Sequence, residues 1–272
     1  MNISKVLGYF YTKVFIAIVP DGVHTNIGIL SVRGSSTQHN TRKFDGVKFN
    51  AHMNSFIEEY SQLSPLTYIA LLSDVSGQGA LPTCSKQQAG QFVDLIVSEY
   101  LCIDDGWMIY ILRDELYQLQ ERYKMLDHDL IFSPFALIKQ LYGEKLNGEP
   151  ALFILNEESA IALAVFDHGV LHFASYEKID PEFPPSIENT ASNQDDRSKR
   201  YKIIEKTLDT YYHDLRFKSS FVNKIYLADT GDSSDTLIIE LEVELFIDVE
   251  VMIVDIAYET ARLAALEVGY AV

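Results

Sequence analysis

The chain has 272 residues, of which 47% are hydrophobic and 22% are charged, so its composition is that of a folded protein and excludes a mainly disordered one. Lysine and arginine number 22 against 39 aspartates and glutamates, which gives a formal net charge of −17. This charge argues against a protein that binds nucleic acid or anionic lipid, because phosphate binding depends on Lys and Arg.

The cysteines and the apolar runs bear on the cellular compartment. Cys84 and Cys102 belong to no CxxC pair and have no His-x-x-His nearby, so no zinc site is expected. We interpret them as free thiols in a chain without a signal peptide, which predicts a reducing cytosol. The longest apolar runs are of strand length, far short of the ~20 residues that span a bilayer. The sequence therefore predicts a cytoplasmic or peripheral protein.

The first half is predicted to begin with three strands, followed by a helix in which Met53, Phe56, Ile57 and Tyr60 share one face. Strands and helices then alternate, and the segment Ser76–Gly79 is interpreted as a loop. The predicted strands are Val14–Val19, Thr25–Val32, Ser36–Phe44, Tyr68–Ser73 and Trp107–Leu112. The later predicted helices are Gln87–Leu101, Arg113–Leu126 and one that begins at Pro134.

The second half is predicted to repeat this order. Residues 182–199 are rich in Pro, Asn, Ser and Asp, which predicts a flexible loop. The predicted strands are Ala151–Leu155, Ala160–Phe166, Val170–Tyr176, Lys224–Ala228 and Val249–Val254. The predicted helices are Lys199–Leu215, Asp235–Leu245 and Tyr258–Gly269. Both halves read three-strand meander, helix, strand, helix, strand, so we predict a duplicated α/β unit.

This duplicated order resembles the actin-like ATPase superfamily. Within it, the chain resembles PilM of type IV pili and the cytoplasmic domain of GspL of type II secretion. The stretches that carry the resemblance are ALFILNEESAIALAVFDHGVLHFASYE, which resembles the second phosphate hairpin, VNKIYLADTGDSS, which resembles the adenosine loop, and AYETARLAALEVGYAV, which resembles the closing Ala-rich helix. Small residues in that helix are expected to let it lie close to the sheet.

The resemblance implies an α/β fold with two RNase H-like lobes, each built on a mixed five-stranded sheet, around a cleft. The N-terminal lobe is expected at 1–150, with a small inserted subdomain at about 81–126. The C-terminal lobe is expected at 151–272 and includes the flexible loop 182–199.

The resemblance also places the nucleotide-cleft positions, and the sequence departs from the family at each of them. In the first hairpin, Asp21 is expected in the turn and not at the end of the strand, and Pro20 removes an amide donor. The second hairpin has two carboxylates where the family has Asp-x-Gly, which would repel a triphosphate. The adenosine loop keeps one glycine. The positions are Asp21, Gly22, Thr25 and Asn26, then Asn156, Glu157, Glu158 and Ser159, and then Gly231, Asp232 and Ser233.

These departures predict weak or absent ATP binding, no enzymatic activity and no cofactor or metal. We expect a non-catalytic scaffold at the cytoplasmic face of an inner membrane, in a type IV pilus or type II secretion machine. Its expected partners are the tails of inner-membrane assembly proteins and the motor ATPase, and a homodimer stays open. No nucleic acid and no direct membrane insertion are expected.

Two alternatives remain open at this point. The first is a nucleotide-binding actin-like switch, either an ATP-binding PilM-type protein or a sugar-kinase relative with divergent loops, for which ATP and Mg²⁺ would be cofactors. The second is a binding module of an unrelated envelope complex. Retained Mg²⁺-ATP binding would favour the switch, and a partner screen would identify the module.

Overall fold

The computed structural model describes residues 11–179, 191–230 and 234–270. The strands within these residues are β1 (Lys13–Asp21), β2 (His24–Arg33), β3 (Ser36–Asp45), β4 (Leu66–Leu72), β5 (Gln78–Leu81), β6 (Ser98–Ile103), β7 (Trp107–Leu112), β8 (Leu130–Phe132), β9 (Ala151–Asn156), β10 (Ala160–Asp167), β11 (Val170–Lys178), β12 (Lys224–Asp229) and β13 (Asp248–Ile253). The α-helices are α1 (Ala51–Ser61), α2 (Lys86–Ala89), α3 (Arg113–Arg122), α4 (Pro134–Tyr142), α5 (Ala191–His213), α6 (Ser234–Leu245) and α7 (Ile256–Glu267).

The two halves of the chain build five-stranded sheets of the same topology. The strand order is β3-β2-β1-β4-β8 in the first sheet and β11-β10-β9-β12-β13 in the second. In each sheet the central strand pairs antiparallel with the next strand of the meander and parallel with the strand that follows the helix, as β1 does with β2 and β4, and β9 with β10 and β12. The predicted duplication of a mixed five-stranded unit is therefore confirmed.

The central strands are buried along their whole length, which is why they read as continuous apolar runs in the sequence. Every residue of β1 and of β9 is buried. A strand covered on both faces has no solvent side, so apolar residues do not alternate with polar ones. The strand β8 was not predicted, because a segment of only three residues is too short to show an alternation of apolar and polar residues.

The chain forms two compact units, each of which combines separate segments. Unit 1 comprises residues 1–74, 117–133 and 255–272, and unit 2 comprises 75–116 and 134–254. These units differ from the predicted boundary at residue 150. The last helix, α7, packs on β1, β2 and β4 within unit 1, whereas α4, from the first half of the chain, packs on β9 and β10 within unit 2.

The packing of α7 on the first sheet depends on a glycine in β2. A Cβ atom on Gly28 would lie 2.4 Å from the backbone oxygen of Ala257. Ala257, Ala261, Ala264 and Ala265 of the helix are all at most 1% exposed. Small residues on both sides therefore bring helix and sheet into close contact, as the Ala-rich helix predicted.

Unit 2 also contains the three-stranded sheet β5-β7-β6. The predicted helix Gln87–Leu101 is wrong, because these residues form the short α2, a 3₁₀ turn at Leu95–Val97 and most of β6. Its apolar residues do not share one buried face: Ile96 is 79% exposed and Leu101 is 65% exposed. The segment Ser76–Gly79, predicted as a loop, contains the start of β5.

Cys84 and Cys102 form a disulfide with a Cα–Cα distance of 5.5 Å. It joins the segment before α2 to the edge strand β6, so the interpretation of the two cysteines as free thiols is wrong. Their separation of 18 residues had no motif that could reveal a pairing, because only the tertiary fold brings them together. Because the two cysteines are bonded to each other, they no longer support the prediction of a reducing cytosol.

The loop predicted at 182–199 is partly wrong. Residues 191–199 form the first turns of α5, whereas residues 182–190 lie outside the described residues. The polar composition that predicted a loop is also that of a helix with little apolar surface to bury. None of the helices in the described ranges is long and apolar enough to cross a membrane.

Candidate functional site

Polar side chains collect at the carboxyl ends of the central parallel strands in each unit. In unit 2, Asn156 ends β9 and Asp229 ends β12, and the two residues are direct partners in the parallel register. Their exposed fractions are 1% and 0%. The amide Nδ2 of Asn156 donates to Oδ1 of Asp229 at 2.7 Å. Adjacent carboxyl ends in a parallel pair thus bring together two residues that are 73 positions apart in the chain.

Arg200 of α5 fills the turn between β9 and β10. Its Nη1 donates to Oδ1 of Asn156 at 2.5 Å and to the backbone oxygen of Glu157 at 2.9 Å. Its Nη2 donates to the backbone oxygen of Glu158 at 2.8 Å. Arg200 is only 6% exposed, so its charge-assisted hydrogen bonds to Asn156 and Glu157 are shielded from water, and the one to Glu158 is partly shielded.

The second hairpin therefore uses its polar backbone groups internally. Glu157 donates its amide to the backbone oxygen of Ala160 at 2.9 Å, which closes the turn, and Ser159 accepts from the amide of Ile179 at 2.7 Å. A hairpin that binds phosphate directs backbone N–H groups at the anion. Here the carbonyls of Glu157 and Glu158 bind a guanidinium instead, so the residues of this hairpin do not fit a nucleotide phosphate.

Asp229 adds a buried carboxyl group to the same cluster. Its Oδ2 is buried and has no hydrogen-bond partner among the residues that the structure describes, whereas Oδ1 accepts from Asn156. A carboxylate at this position repels a phosphate. Within the described residues, no group of three His, Cys, Asp or Glu side chains is arranged to hold a metal ion.

In unit 1, Asp21 is the last residue of β1 and is 3% exposed. The prediction that Asp21 lies in the turn is therefore wrong, because β1 extends two residues beyond Val19 and pairs Pro20 with Thr25 and Asp21 with His24. The turn begins at Gly22, whose φ of +64° favours glycine. The strand β1 pairs through Pro20, whose missing amide removes one donor as predicted.

The strand β4 is followed by a second carboxylate of unit 1. Arg122 donates from Nη1 to Oδ1 and Oδ2 of Asp74 at 3.0 and 2.8 Å. The next residue, Tyr123, is fully buried, and its hydroxyl donates to the backbone oxygen of Val47 at 3.1 Å. Burial, and then the negative charge of Asp74, raises the pKa of Tyr123 to about 12, so its hydroxyl stays a neutral donor at physiological pH.

The remaining predicted positions are less central. Thr25 is buried and donates from Oγ1 to the backbone oxygen of Gly46 at 2.8 Å, and Asn26 is half-buried within β2. The structure brings Asn156, Glu157 and Glu158 together through Arg200. Gly231, Asp232 and Ser233 lie outside the described residues.

Four residues of these clusters were not among the predicted site positions: Asp74, Arg122, Arg200 and Asp229. Two of them carried a signal, because Asp74 and Asp229 each come at or just after the end of a predicted apolar strand, where side chains converge in parallel sheets. Arg200 carried none, since it was assigned to the start of a helix after a polar loop.

Comparisons with known proteins bear on the fold. Two family models match the chain, both described as domains of unknown function: DUF8569 over residues 10–139 and DUF8341 over residues 184–269. No curated protein is significantly similar in sequence.

Solved structures are similar to nearly the whole chain. One is a protein from Bacteroides thetaiotaomicron with an actin-like ATPase fold and unknown function, at 13% identity and a TM-score of 0.55, covering 97% of this chain and 98% of that one. Another belongs to a PilM–PilN type IV pilus biogenesis complex, at 13% identity and a TM-score of 0.61, covering 94% and 98%. The chain therefore has the actin-like ATPase fold, as the sequence resemblance predicted.

Proposed function

We propose that this chain is a non-catalytic, actin-like scaffold that binds the tail of a membrane protein in a pilus or secretion machine. The observation that carries the proposal is the position of Arg200 in the second hairpin. Its guanidinium contacts Asn156, Glu157 and Glu158 where the fold's enzymes would place phosphate-binding amides.

Electrostatics supports the same proposal. Glu157 and Asp229 are 3% and 0% exposed, and the chain carries a net charge of −17. One arginine already engaged by three oxygen atoms leaves this cluster unfavourable for a triphosphate. The same fold can serve different functions, so a chain that does not bind nucleotide can still bind other proteins through its surface, as a scaffold does.

The partner class comes from the fold likeness. The PilM–PilN complex contains a chain with this fold in type IV pilus biogenesis. On this likeness we propose a partner in an inner-membrane platform, with the motor ATPase as a second partner. Placement at the cytoplasmic face of that membrane rests on this likeness alone, because the disulfide removes the argument from free thiols.

The alternative, a nucleotide-binding switch, has one observation in its favour. Unit 1 keeps a buried carboxylate, Asp21, at the end of its first strand, directly before Gly22 in the turn. This is the arrangement of carboxylate and glycine in which a hairpin organises Mg²⁺ and phosphate. The scaffold proposal therefore rests on the residues of unit 2, whereas the switch proposal rests on Asp21 and Gly22 of unit 1.

Thermal unfolding with and without millimolar Mg²⁺-ATP separates them. A ligand at about one hundred times its dissociation constant stabilises the folded state by ~2.7 kcal/mol, and each kcal/mol raises Tm by roughly 2–4 °C in a chain of this size. The scaffold proposal expects no change in Tm with ATP, ADP or Mg²⁺ alone. A clear rise that disappears in the variant Asp21→Asn would establish the switch in its place.

The partner side is tested with the PilN-type protein of the same organism. In a flotation assay, the chain should float with vesicles that contain this membrane protein and should not float with vesicles of the same lipids that lack it. Flotation with both kinds of vesicle, or with neither, would contradict the proposed partner class.

A further inference from the structure

The helix α6 has an apolar strip on the side that faces away from the core. Ile239, Val243 and Phe246 are 60%, 58% and 90% exposed. At 100° per residue Ile239 and Val243 fall within about 40° of arc. Phe246 follows the helix directly, with a φ of +55°. Leu237 and Leu241 lie on the opposite side and are fully buried. Single exposed apolar residues are ordinary, but two on one helix face, followed directly by a third after the helix, indicate an interaction surface.

Carboxylates border the strip on both sides. By the same helical geometry, Glu240 lies about 60° beyond Val243 on one side and Glu242 about 60° from Ile239 on the other. Glu244 lies about 40° further round than Glu240, toward Tyr201 of α5. None of the three has an ion-pair partner within the described part of the chain. We call this surface, comprising Ile239, Val243, Phe246 and the three glutamates, the α6 strip.

The neighbouring helix adds to the negative charge on one flank. Tyr201 of α5 donates to Oε1 of Glu205 at 3.4 Å. Burial raises the pKa of Tyr201, and the charges of Glu205, Glu244 and Glu240 raise it further. Carboxylates from α5 and α6 therefore lie close enough to the phenol to act on it together.

This combination of apolar contact area and unpaired negative charge restricts the occupant. A second copy of the chain would bring the same glutamates against each other, between two molecules that each carry −17. An anionic lipid surface or an acidic protein would be repelled in the same way. A segment that combines apolar residues with Lys or Arg satisfies both features of the surface.

We propose that the α6 strip is the docking site for a basic amphipathic segment of a partner protein. The apolar face of the segment would cover Ile239, Val243 and Phe246, and its cations would pair with the flanking glutamates. The inference rests on the proposed function, and it names the chemistry of the tail: cytoplasmic segments next to membrane spans are rich in Lys and Arg.

Fluorescence anisotropy with two labelled peptides tests this site. The probe is an amphipathic peptide of Leu and Lys of about 18 residues, long enough to form a helix on binding. The comparison peptide has Glu in place of Lys. We expect the Leu/Lys peptide to bind, the Leu/Glu peptide not to bind, and affinity to fall between about 50 and 500 mM salt.

Variants then locate the binding. Ile239→Ser with Val243→Ser should weaken the Leu/Lys peptide at least about tenfold, since the central apolar contacts are lost. Glu242→Gln with Glu244→Gln should weaken it as well and reduce the salt dependence. The matched control is Leu63→Ser with Met125→Ser, which changes two apolar residues that are 62% and 79% exposed in unit 1 and should leave the affinity unchanged.

Equal weakening by the control pair, or unchanged binding in both α6 variants, would overturn the site. The result is separable from the proposed function. If the α6 variants bind the peptide normally while vesicle flotation still works, the scaffold stands and its docking site lies elsewhere. If Mg²⁺-ATP stabilises the chain, the scaffold falls whatever the peptide does.

Discussion

Arg200 and Asn156 lie 44 positions apart in the chain, and a hydrogen bond of 2.5 Å joins Nη1 of the first to Oδ1 of the second in a buried cluster. The same guanidinium contacts the backbone of the next two residues. The arginine thus fastens α5 to the carboxyl end of β9, which is why we treat it as an internal substitute for a ligand.

The variant Arg200→Ala should lower the free energy of unfolding by about 3 kcal/mol, because two buried oxygen atoms and one partly buried oxygen atom lose their charged donor. Urea denaturation measures this change. Arg200→Met, which keeps most of the aliphatic volume, should be similarly destabilised if the hydrogen bonds matter more than the packing. Arg33→Ala, at an exposed position, is the control and should change stability by less than about 0.5 kcal/mol. A loss for Arg200→Ala no larger than that of the control would contradict the assigned role.

The ion pair between Asp74 and Arg122 should show measurable coupling in a double-mutant cycle. The side chains are 13% and 27% exposed, so water screens the pair only in part. We expect a coupling energy of about 1–2 kcal/mol from Asp74→Ala, Arg122→Ala and the double variant. The exposed pair Glu121 and Lys124, 45% and 64% exposed, is the comparison and should give at most about 0.5 kcal/mol. Equal coupling in the two cycles would show that burial does not strengthen the first pair.

Gly28→Ala should be strongly destabilising, by roughly 3 kcal/mol or more, because its new Cβ atom would lie 2.4 Å from backbone atoms of α7 that have no room to move. Thermal and urea unfolding measure the effect. Gly90→Ala is the matched control, since the nearest atom would be 3.5 Å from its Cβ. Normal stability of Gly28→Ala would mean that the helix and the sheet are further apart than described.

Replacing Cys84 and Cys102 by Ser should reduce stability by about 3 kcal/mol under oxidising conditions, as expected for a bridge that closes a loop of 18 residues. Thiol titration of the unfolded wild-type chain should find no free thiol before reduction. With a reductant present, the wild type and the double variant should unfold at similar denaturant concentrations. If the double variant were still less stable than the wild type in the presence of reductant, the loss of stability would come from the packing of the serines and not from the missing disulfide.

Glu250 should make stability depend on acid pH. Hydrogen bonds from Lys145 and then from Lys224 hold the pKa of Glu250 below its usual value of 4.5. Its stabilising effect is therefore fully present above pH 4.5 and is lost as pH falls through the lowered folded-state value. Glu250→Gln should thus be less stable than the wild type at pH 7, and the difference should narrow toward pH 3.

The matched control for Glu250→Gln is Glu267→Gln, at an exposed position near the end of α7. Its stability relative to the wild type should stay nearly constant over the same pH range. If the stability difference between Glu250→Gln and the wild type stayed constant with pH, the ion pairs of Glu250 with Lys145 and Lys224 would not be its cause.

Local sequence patterns predicted the strands well and the site poorly. The strand Trp107–Leu112 has the predicted bounds, and β1 and β9 were placed by their apolar runs. The helix predicted at Gln87–Leu101 failed because its apolar spacing fits a helix, whereas the chain there turns at Gly90 and continues as an edge strand. Edge strands and short helices depend on neighbours that a local window does not contain.

The sequence by itself determined the duplicated order of strands and helices, since buried central strands and amphipathic helices leave periodic patterns along the chain. It also showed that Asn156, Glu157 and Glu158 stand where the resemblance to actin-like proteins leads us to expect Asp-x-Gly. Only the tertiary structure decided that Arg200 fills that hairpin, that Cys84 meets Cys102, and that α7 returns to the first sheet beside Gly28. These contacts join residues distant in the chain, and a pattern with a period of two or 3.6 residues carries no information about them.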